Sequence, residues 1–154
     1  MAEGIVPEKA APLDAAAAAK EALNGVEGEP FPADIYVAPQ LTWAVIGCGV
    51  IANQMAASLA LSGRHIYGVA NRTREKAEAF AARYGVERVY GTVEELYRDP
   101  RVDAIYITTP HNTHIRYLRG ALTAGKHVLC EKSITLNSEE LDEARALAHE
   151  SSAV

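Results

Sequence analysis

Between Leu41 and Glu150 the chain alternates, five times over, between a short apolar run rich in β-formers and a longer stretch with helical spacing. The runs are Trp43 to Gly47, Ile66 to Ala70, Arg88 to Tyr90, Ala104 to Thr108 and His127 to Cys130. After the first, Ile51, Met55 and Leu59 recur at i, i+4 and i+8 until Ser62-Gly63. After the second, Thr73 is placed to cap a helix with Ala77, Phe80, Ala81 and Tyr84 on one stripe and Gly85 at its end. Thr92 to Glu95 reads as a capping box for a short third helix that Asp99-Pro100 stops. A helix after Pro110 carries Ile115, Leu118 and Leu122 inward, and one opening at Asn137 to Glu140 carries Leu141, Ala144 and Ala148. Strands that alternate with helices need right-handed crossovers, which build a parallel sheet covered on both faces. The expectation is a doubly wound α/β domain of about five strands over residues 41–154.

The first 40 residues do not share the pattern. They hold five of the seven prolines, and their seven acids against two bases account for the whole net charge of −5. Gly28 to Asp34 has the breaker density of a loop, and Asp14 to Leu23, rich in alanine, can form a helix that buries little. Residues 1–40 are therefore expected to be an irregular, acidic appendage. It is acid-rich and Arg-poor, unlike a transit peptide, and lacks the basic and apolar regions of a secretory signal, which points to the cytoplasm. No apolar run approaches membrane-spanning length, and a net acidic chain is a poor match to a nucleic-acid polyanion. Cys48 and Cys130, 82 residues apart, form neither a C-x-x-C nor a metal-ligand spacing, so no metal is expected.

In doubly wound sheets the ligand lies outside the carboxyl ends of the strands, so the strand-to-helix turns carry the functional information. The first turn, Gly47-Cys48-Gly49-Val50-Ile51-Ala52, is a G-x-G-x-x-A variant of the dinucleotide fingerprint. Gly47 suits the tight turn, Gly49 lets backbone approach a pyrophosphate, and the amides of the helix start face its charge. A methyltransferase also places glycines here, but with an acid before them, where this chain has Val45-Ile46, and another ending strand two, where it has Asn71. An acid ending strand two binds the ribose 2′-hydroxyl of NAD, whereas a base accommodates the 2′-phosphate of NADP. Residues 68–74 contain no acid, and Arg72, with a planar fork suited to phosphate, favours NADP over NAD; Asn71 can donate to the ribose of either.

Four segments, Trp43-Ala-Val-Ile-Gly-Cys-Gly49, Tyr90-Gly-Thr-Val-Glu-Glu-Leu96, Val102-Asp-Ala-Ile-Tyr-Ile-Thr-Thr-Pro-His-Asn-Thr-His114 and Ala124-Gly-Lys-His-Val-Leu-Cys-Glu-Lys132, stand in the order and spacing of the glucose-fructose oxidoreductase, inositol dehydrogenase and rhizopine-catabolism (Gfo/Idh/MocA) family. The chain resembles the NAD(P)-binding Rossmann domain of that family over about residues 41–150, and its Leu-Cys-Glu-Lys form looks most like the dihydrodiol and xylose dehydrogenase branch, which favours NADP. The resemblance implies that Gly47, Gly49, Val50 and Ile51 contact the pyrophosphate, Asn71 and Arg72 the adenosine end, and Thr108, Thr109, Pro110, His111, His114, Glu131 and Lys132 the rest of the cofactor. It makes Lys132 the catalytic residue, placed to hydrogen-bond the reacting oxygen while hydride moves at the adjacent carbon. Ser133 stands where the family has proline, which puts the lysine's placement in question.

The resemblance also implies a sixth strand and a substrate-binding domain beyond Val154, with hydride transfer to or from a sugar, polyol or diol as the parent activity. Without a second domain the chain is expected to bind nicotinamide dinucleotide yet turn over no substrate. The alternative reading is a non-catalytic module that senses NADP(H) or docks to a partner. An unpaired fifth strand is expected to drive self-association through its edge.

Overall fold

The computed structural model describes residues 40–151; the helix expected at Asp14 to Leu23 and the loop at Gly28 to Asp34 lie outside the described residues. Five strands, β1 (Trp43–Ile46), β2 (Gly68–Ala70), β3 (Arg88–Tyr90), β4 (Ala104–Ile107) and β5 (His127–Cys130), form one parallel sheet in the order β3-β2-β1-β4-β5. Between and after them run α1 (Val50–Leu61), α2 (Arg74–Tyr84), α3 (Val93–Arg98), α4 (His114–Thr123) and α5 (Ser138–Glu150). The order reverses direction at β1, because β2 and β3 build to one side of it and β4 and β5 to the other.

Alternation along the strands divides the core. Val45, Val69 and Tyr106 point to the face covered by α1 and α2, where Ala52, Ala56, Ala57, Ala77, Phe80 and Tyr84 are buried. Ala44, Ile46, Ala70, Ile105 and Ile107 point to the opposite face, under Leu96 of α3, Ile115, Leu118 and Leu122 of α4 and Ala144 of α5. Burying each large side chain of this kind stabilises the fold by about 1.5–3 kcal/mol. The side chain of Leu129 on β5 shares the first face with Tyr106 but extends past α1 and α2, and is exposed.

Local chemistry sets most of the element ends. Gly85 closes α2 with φ 68°, and the Thr92 hydroxyl accepts from the Glu95 amide at 3.2 Å. Glu95 reaches back one residue further than a standard capping box, its Oε2 accepting from Gly91 N at 2.9 Å. Asn137 and Glu140 repeat the device: Asn137 Oδ1 accepts from Glu140 N at 2.8 Å, and Glu140 Oε2 from Leu136 N at 3.1 Å.

Three elements depart from expectation. The sequence stripe Ile51, Met55, Leu59 is not the deepest face of α1, because Ala52, Ala56 and Ala57 are buried and Ile51 is exposed. Small alanines let the helix lie close on the sheet, which rotates the larger residues to its flanks. Strand two begins at Gly68 rather than Ile66, although Tyr67 N donates to Trp43 O at 2.8 Å and Tyr67 O accepts from Arg88 N at 3.0 Å. Thr73 stands at the N-cap of α2 without a side-chain capping bond; the Asn71 side chain braces that turn instead.

At the amino-terminal edge of the sheet Asp99 gathers a polar cluster. Its Oδ2 accepts from the hydroxyls of Tyr90 at 2.9 Å and Tyr67 at 3.4 Å, and its Oδ1 from Arg101 N at 2.9 Å. Lys126 Nζ, from the turn before β5, donates to the carbonyls of Asp99 and Val102, both at 2.8 Å. Burial pushes the Asp99 carboxyl upward, but the Arg101 amide, the Tyr90 hydroxyl and the Arg101 charge outweigh it and hold the group below its ordinary value. A carboxylate depressed on folding stabilises the native state above its unfolded pKa of about 4, and the contribution fades as the pH falls through the folded value. Asp99→Asn is expected to cost about 1–3 kcal/mol in urea unfolding at pH 7. The difference from the parent should shrink at pH 3; an equal difference at both pH values would assign the effect to packing.

Candidate functional site: the carboxyl edge of the sheet

A parallel sheet brings every strand-to-helix turn to one edge. Here that edge carries Gly47 to Ile51 after β1, Asn71 to Thr73 after β2, Thr108 to His111 after β4 and Glu131 to Ser133 after β5. The residues singled out from sequence therefore converge on one side of the molecule, flanking the reversal at β1.

The two glycines of the first turn differ in kind. Gly47 has φ 103°, where side-chain-bearing residues are strained, and a Cβ there would lie 2.8 Å from Thr108 Oγ1 and 3.3 Å from the Thr108 backbone. Its amide donates to Ala70 O at 2.9 Å, while Thr108 N donates to Ile46 O at 3.0 Å, so the three inner strands close around it. Gly49, the N-cap of α1, has an ordinary φ of −77°, and a Cβ would meet nothing within 4 Å. Packing among the described residues needs a glycine at 47 and does not at 49. Open space in front of Gly49 fits a group from outside, and the adjoining Val50 and Ile51 are exposed at a helix start whose first amides lack intrahelical partners.

Behind this turn lies a link not anticipated from sequence. Asn53 Nδ2 donates to Gly49 O at 2.8 Å and to Cys48 O at 3.4 Å, and its Oδ1 accepts from Tyr84 Oη at 2.9 Å. The available signal was an asparagine near the start of a helix, where its side chain usually bonds nearby backbone. Burial, only partly offset by Lys76, pushes the Cys48 thiol up to about 11, which keeps it protonated at neutral pH; Cys130, raised by burial and by Glu131, lies at about 11 as well.

After β2, Asn71 Nδ2 donates to Thr73 O at 2.9 Å, which commits that amide to the turn. Arg72 is exposed and has no ion-pair partner among the described residues, whereas Arg74 is engaged by Glu78 at 2.7 Å. Of the two arginines, the one singled out from sequence, Arg72, is thus the one without an ion-pair partner among the described residues.

The β4 and β5 ends are fastened to one another. His114, fully buried, lies with Nε2 2.7 Å from Thr109 O and Nδ1 2.9 Å from Ser133 O, and so joins the two turns. It presents no surface outward; His111, exposed and 5.6 Å away between ring centroids, does. The Thr113 hydroxyl lies 2.8 Å from Thr109 Oγ1 and 2.7 Å from Pro110 O, within a single 3₁₀ turn, His111–Thr113, that leads into α4. On the other side of Lys132, Glu131 N donates to Ile107 O at 3.0 Å and the Glu131 carboxylate accepts from the Tyr106 hydroxyl. Burial and that carboxylate together raise the Tyr106 hydroxyl's pKa. Lys132 itself is exposed, without a hydrogen-bond partner among the described residues, and precedes a cis peptide to Ser133, the position where a proline was expected.

Residues 41–154 match the model of the oxidoreductase family with an NAD-binding Rossmann fold, and the chain belongs to that family. It is 39% identical over 111 residues to trans-1,2-dihydrobenzene-1,2-diol dehydrogenase of Mus musculus, covering 70% of this chain and 33% of the mouse enzyme. Among solved structures it resembles a variant 3-ketoreductase from Actinomadura kijaniata in complex with TDP-benzene and NADP, at 33% identity and a TM-score of 0.66 over 73% of this chain and 35% of that one. It also resembles GenD2 from gentamicin A biosynthesis in complex with NAD, at 30% identity and a TM-score of 0.70 over 76% and 34%. The chain spans about a third of the length of these relatives. It is an NAD(P)-binding domain of the Rossmann type, and its relatives include complexes with each of the two cofactors.

The contrast between the two glycines yields a paired test. Gly47→Ala is expected to destabilise the fold by about 1–3 kcal/mol through its strained φ, with the Thr108 contact adding to this. Gly49→Ala should cost under about 1 kcal/mol, the N-cap preference for glycine over alanine. Yet it should weaken NADPH binding about tenfold or more, because a hydrogen bond to an ionised group is worth about 1.5–3 kcal/mol. Thermal melts and fluorescence titration measure the two effects; a Gly49→Ala chain that binds like the parent would contradict the assignment.

Proposed function

We propose that this domain holds NADP(H) in preference to NAD(H) along its carboxyl edge and presents the nicotinamide beside Lys132 to a sugar, polyol or diol. The observation that carries the reading is Gly49, a glycine at the start of α1 where no contact among the described residues requires one. The amides of Val50 and Ile51 then face the pyrophosphate, and the positive end of α1 favours its charge. Arg72 meets a 2′-phosphate with a planar, permanently charged fork, and no acid in residues 68–74 serves a free 2′-hydroxyl. Asn71 retains Oδ1 for a ribose hydroxyl, since only its amide nitrogen is used by the turn.

Thr108 to His111 line the middle of the edge, and His114 acts from within, through the two carbonyls it joins. Bound nicotinamide supplies the hydride donor or acceptor. The chain's part is to place Lys132 Nζ where it donates to the reacting oxygen and stabilises negative charge there. Glu131 is turned away toward Tyr106, which leaves the lysine free of its nearest acid. Substrate positioning accounts for about 7–11 kcal/mol of such barriers. Dihydrodiol dehydrogenase similarity favours a vicinal diol or sugar as that substrate, with the rest of its contacts supplied outside the third of the relatives that this chain matches. We place the protein in the cytoplasm; no described helix is long and apolar enough to cross a membrane. Among the described residues no strand pairs with the outer side of β5, and we expect a second copy to take that edge unless the N-terminal segment or the last helix covers it, which light scattering reads directly.

Cofactor choice is tested at Arg72. NADPH should bind about ten- to a hundred-fold tighter than NADH, toward the lower figure because water and salt screen an exposed pair. Arg72→Ala should remove that margin and leave NADH affinity unchanged. Equal affinities in the parent, or a substitution that weakens both cofactors alike, would assign Arg72 to the solvated surface.

A further inference from the structure

We propose that Asn53 and Tyr84 are positioning residues that set the affinity of the first turn for a pyrophosphate, by holding its carbonyl groups away from the ligand side. The inference rests on the dinucleotide reading above and goes beyond it, because neither residue belongs to the glycine fingerprint and neither is placed to touch the cofactor.

A turn that binds an anion through its amides has a difficulty built into the peptide group. Each N–H aimed at the ligand has a carbonyl on the neighbouring peptide, and a carbonyl oxygen that swings toward the phosphate repels it. In this chain the carbonyls at risk are those of Cys48 and Gly49, the two peptides on either side of the approach point. The Asn53 carboxamide engages both, with Nδ2 2.8 Å from Gly49 O and 3.4 Å from Cys48 O. Gly49 O also accepts the backbone amide of Asn53 at 3.1 Å, so one residue holds that oxygen by main chain and side chain together. In a trans peptide the N–H points opposite to the C=O, so holding the Cys48 and Gly49 oxygens on the helix side leaves the amides of Gly49 and Val50 on the other.

An asparagine side chain alone would not secure this, because a half-turn about its last bond presents Oδ1 to the same carbonyls and reverses the effect. Two contacts together disfavour that option: the Cys48 and Gly49 carbonyls can only accept, and the Tyr84 hydroxyl donates to Asn53 Oδ1 at 2.9 Å, which holds the NH₂ group toward the turn. The phenol is itself held: Tyr84 is buried at the end of α2, with its ring 4.9 Å from that of Phe80 between centroids. The core between α1 and α2 thereby helps fix the electrostatic sense of the turn through Asn53, 31 residues before Tyr84 in sequence.

The test compares two ligands that differ in what they ask of the turn. NADPH presents a pyrophosphate, whereas adenosine 2′-monophosphate carries the base, ribose and 2′-phosphate with nothing to reach Gly49. Asn53→Leu keeps a side chain of similar volume without a donor. It is expected to weaken NADPH about tenfold, the loss of charge-oriented bonding, while adenosine 2′-monophosphate changes less than about twofold. Tyr84→Phe keeps the ring and the packing and should weaken NADPH about threefold, again sparing the smaller ligand, since the carboxamide is released but still present. An Asn53→Leu chain that loses both ligands in proportion would show a general loosening of the domain, and unchanged binding of both would show the link to be inert. Either overturns the proposal. Failure of the underlying reading looks different: the parent chain would then bind neither ligand.

Discussion

Everything at the carboxyl edge depends on the close approach of β4 to the turn after β1. Gly47 takes a backbone angle that a side chain would oppose, and it does so against Thr108, with no room for a Cβ between them. That contact lets β1 end abruptly and the chain reverse into α1 within three residues, so that the helix start lies over the edge of the sheet rather than beyond it. The hydrogen bonds from Gly47 N to Ala70 O and from Thr108 N to Ile46 O extend the sheet one residue past the strands on either side of β1. Loosening any of these would move the helix start, and with it the amides proposed to meet a pyrophosphate.

A common principle organises the turns. Groups that face inward are satisfied by buried or half-buried side chains from the elements behind them, and groups that face outward are left without partners. Asn53 and Tyr84 stand behind the first turn, Asn71 braces the second, and His114 joins the β4 and β5 turns through two carbonyls. Tyr106 takes the carboxylate of Glu131. Among the described residues, Arg72 and Lys132 stand at this edge without a partner, two cations on a chain whose net charge is −5. Polar side chains used this way add modestly to stability, about 0.5–1.5 kcal/mol per hydrogen bond, and their larger effect is to fix one arrangement of an otherwise adaptable loop.

Much of this was legible in the residues. Apolar periodicity located all five strands and five helices, because each strand is short, each helix carries an inward stripe, and glycine or a capping pair marks most of the boundaries. The stripe on α1 misled, since volume rather than hydrophobicity decides which face of a helix lies closest to a sheet, and alanines won over Ile51. The glycine fingerprint and the absence of an acid after β2 pointed to the nucleotide. Sequence favoured Arg72 but could not show that Arg74 is engaged by Glu78, because that pairing is a matter of rotamer and helix geometry. Nor could it show the Thr108 contact that excludes a Cβ at Gly47, or find Tyr84 behind Asn53, because both depend on how helices and strands far apart in sequence come together.

The dinucleotide is proposed to lie along the carboxyl edge, centred on the first turn. Titrating the ¹⁵N-labelled chain with NADPH and following backbone amide shifts tests it most directly. The largest changes should fall at Gly47 to Ala52, Arg72 to Arg74, Thr108 to Asn112 and Glu131 to Ser133, with the Asp99 and Lys126 cluster at the opposite edge of the sheet unaffected. Shifts concentrated at that opposite edge, or none at saturating cofactor, would contradict it.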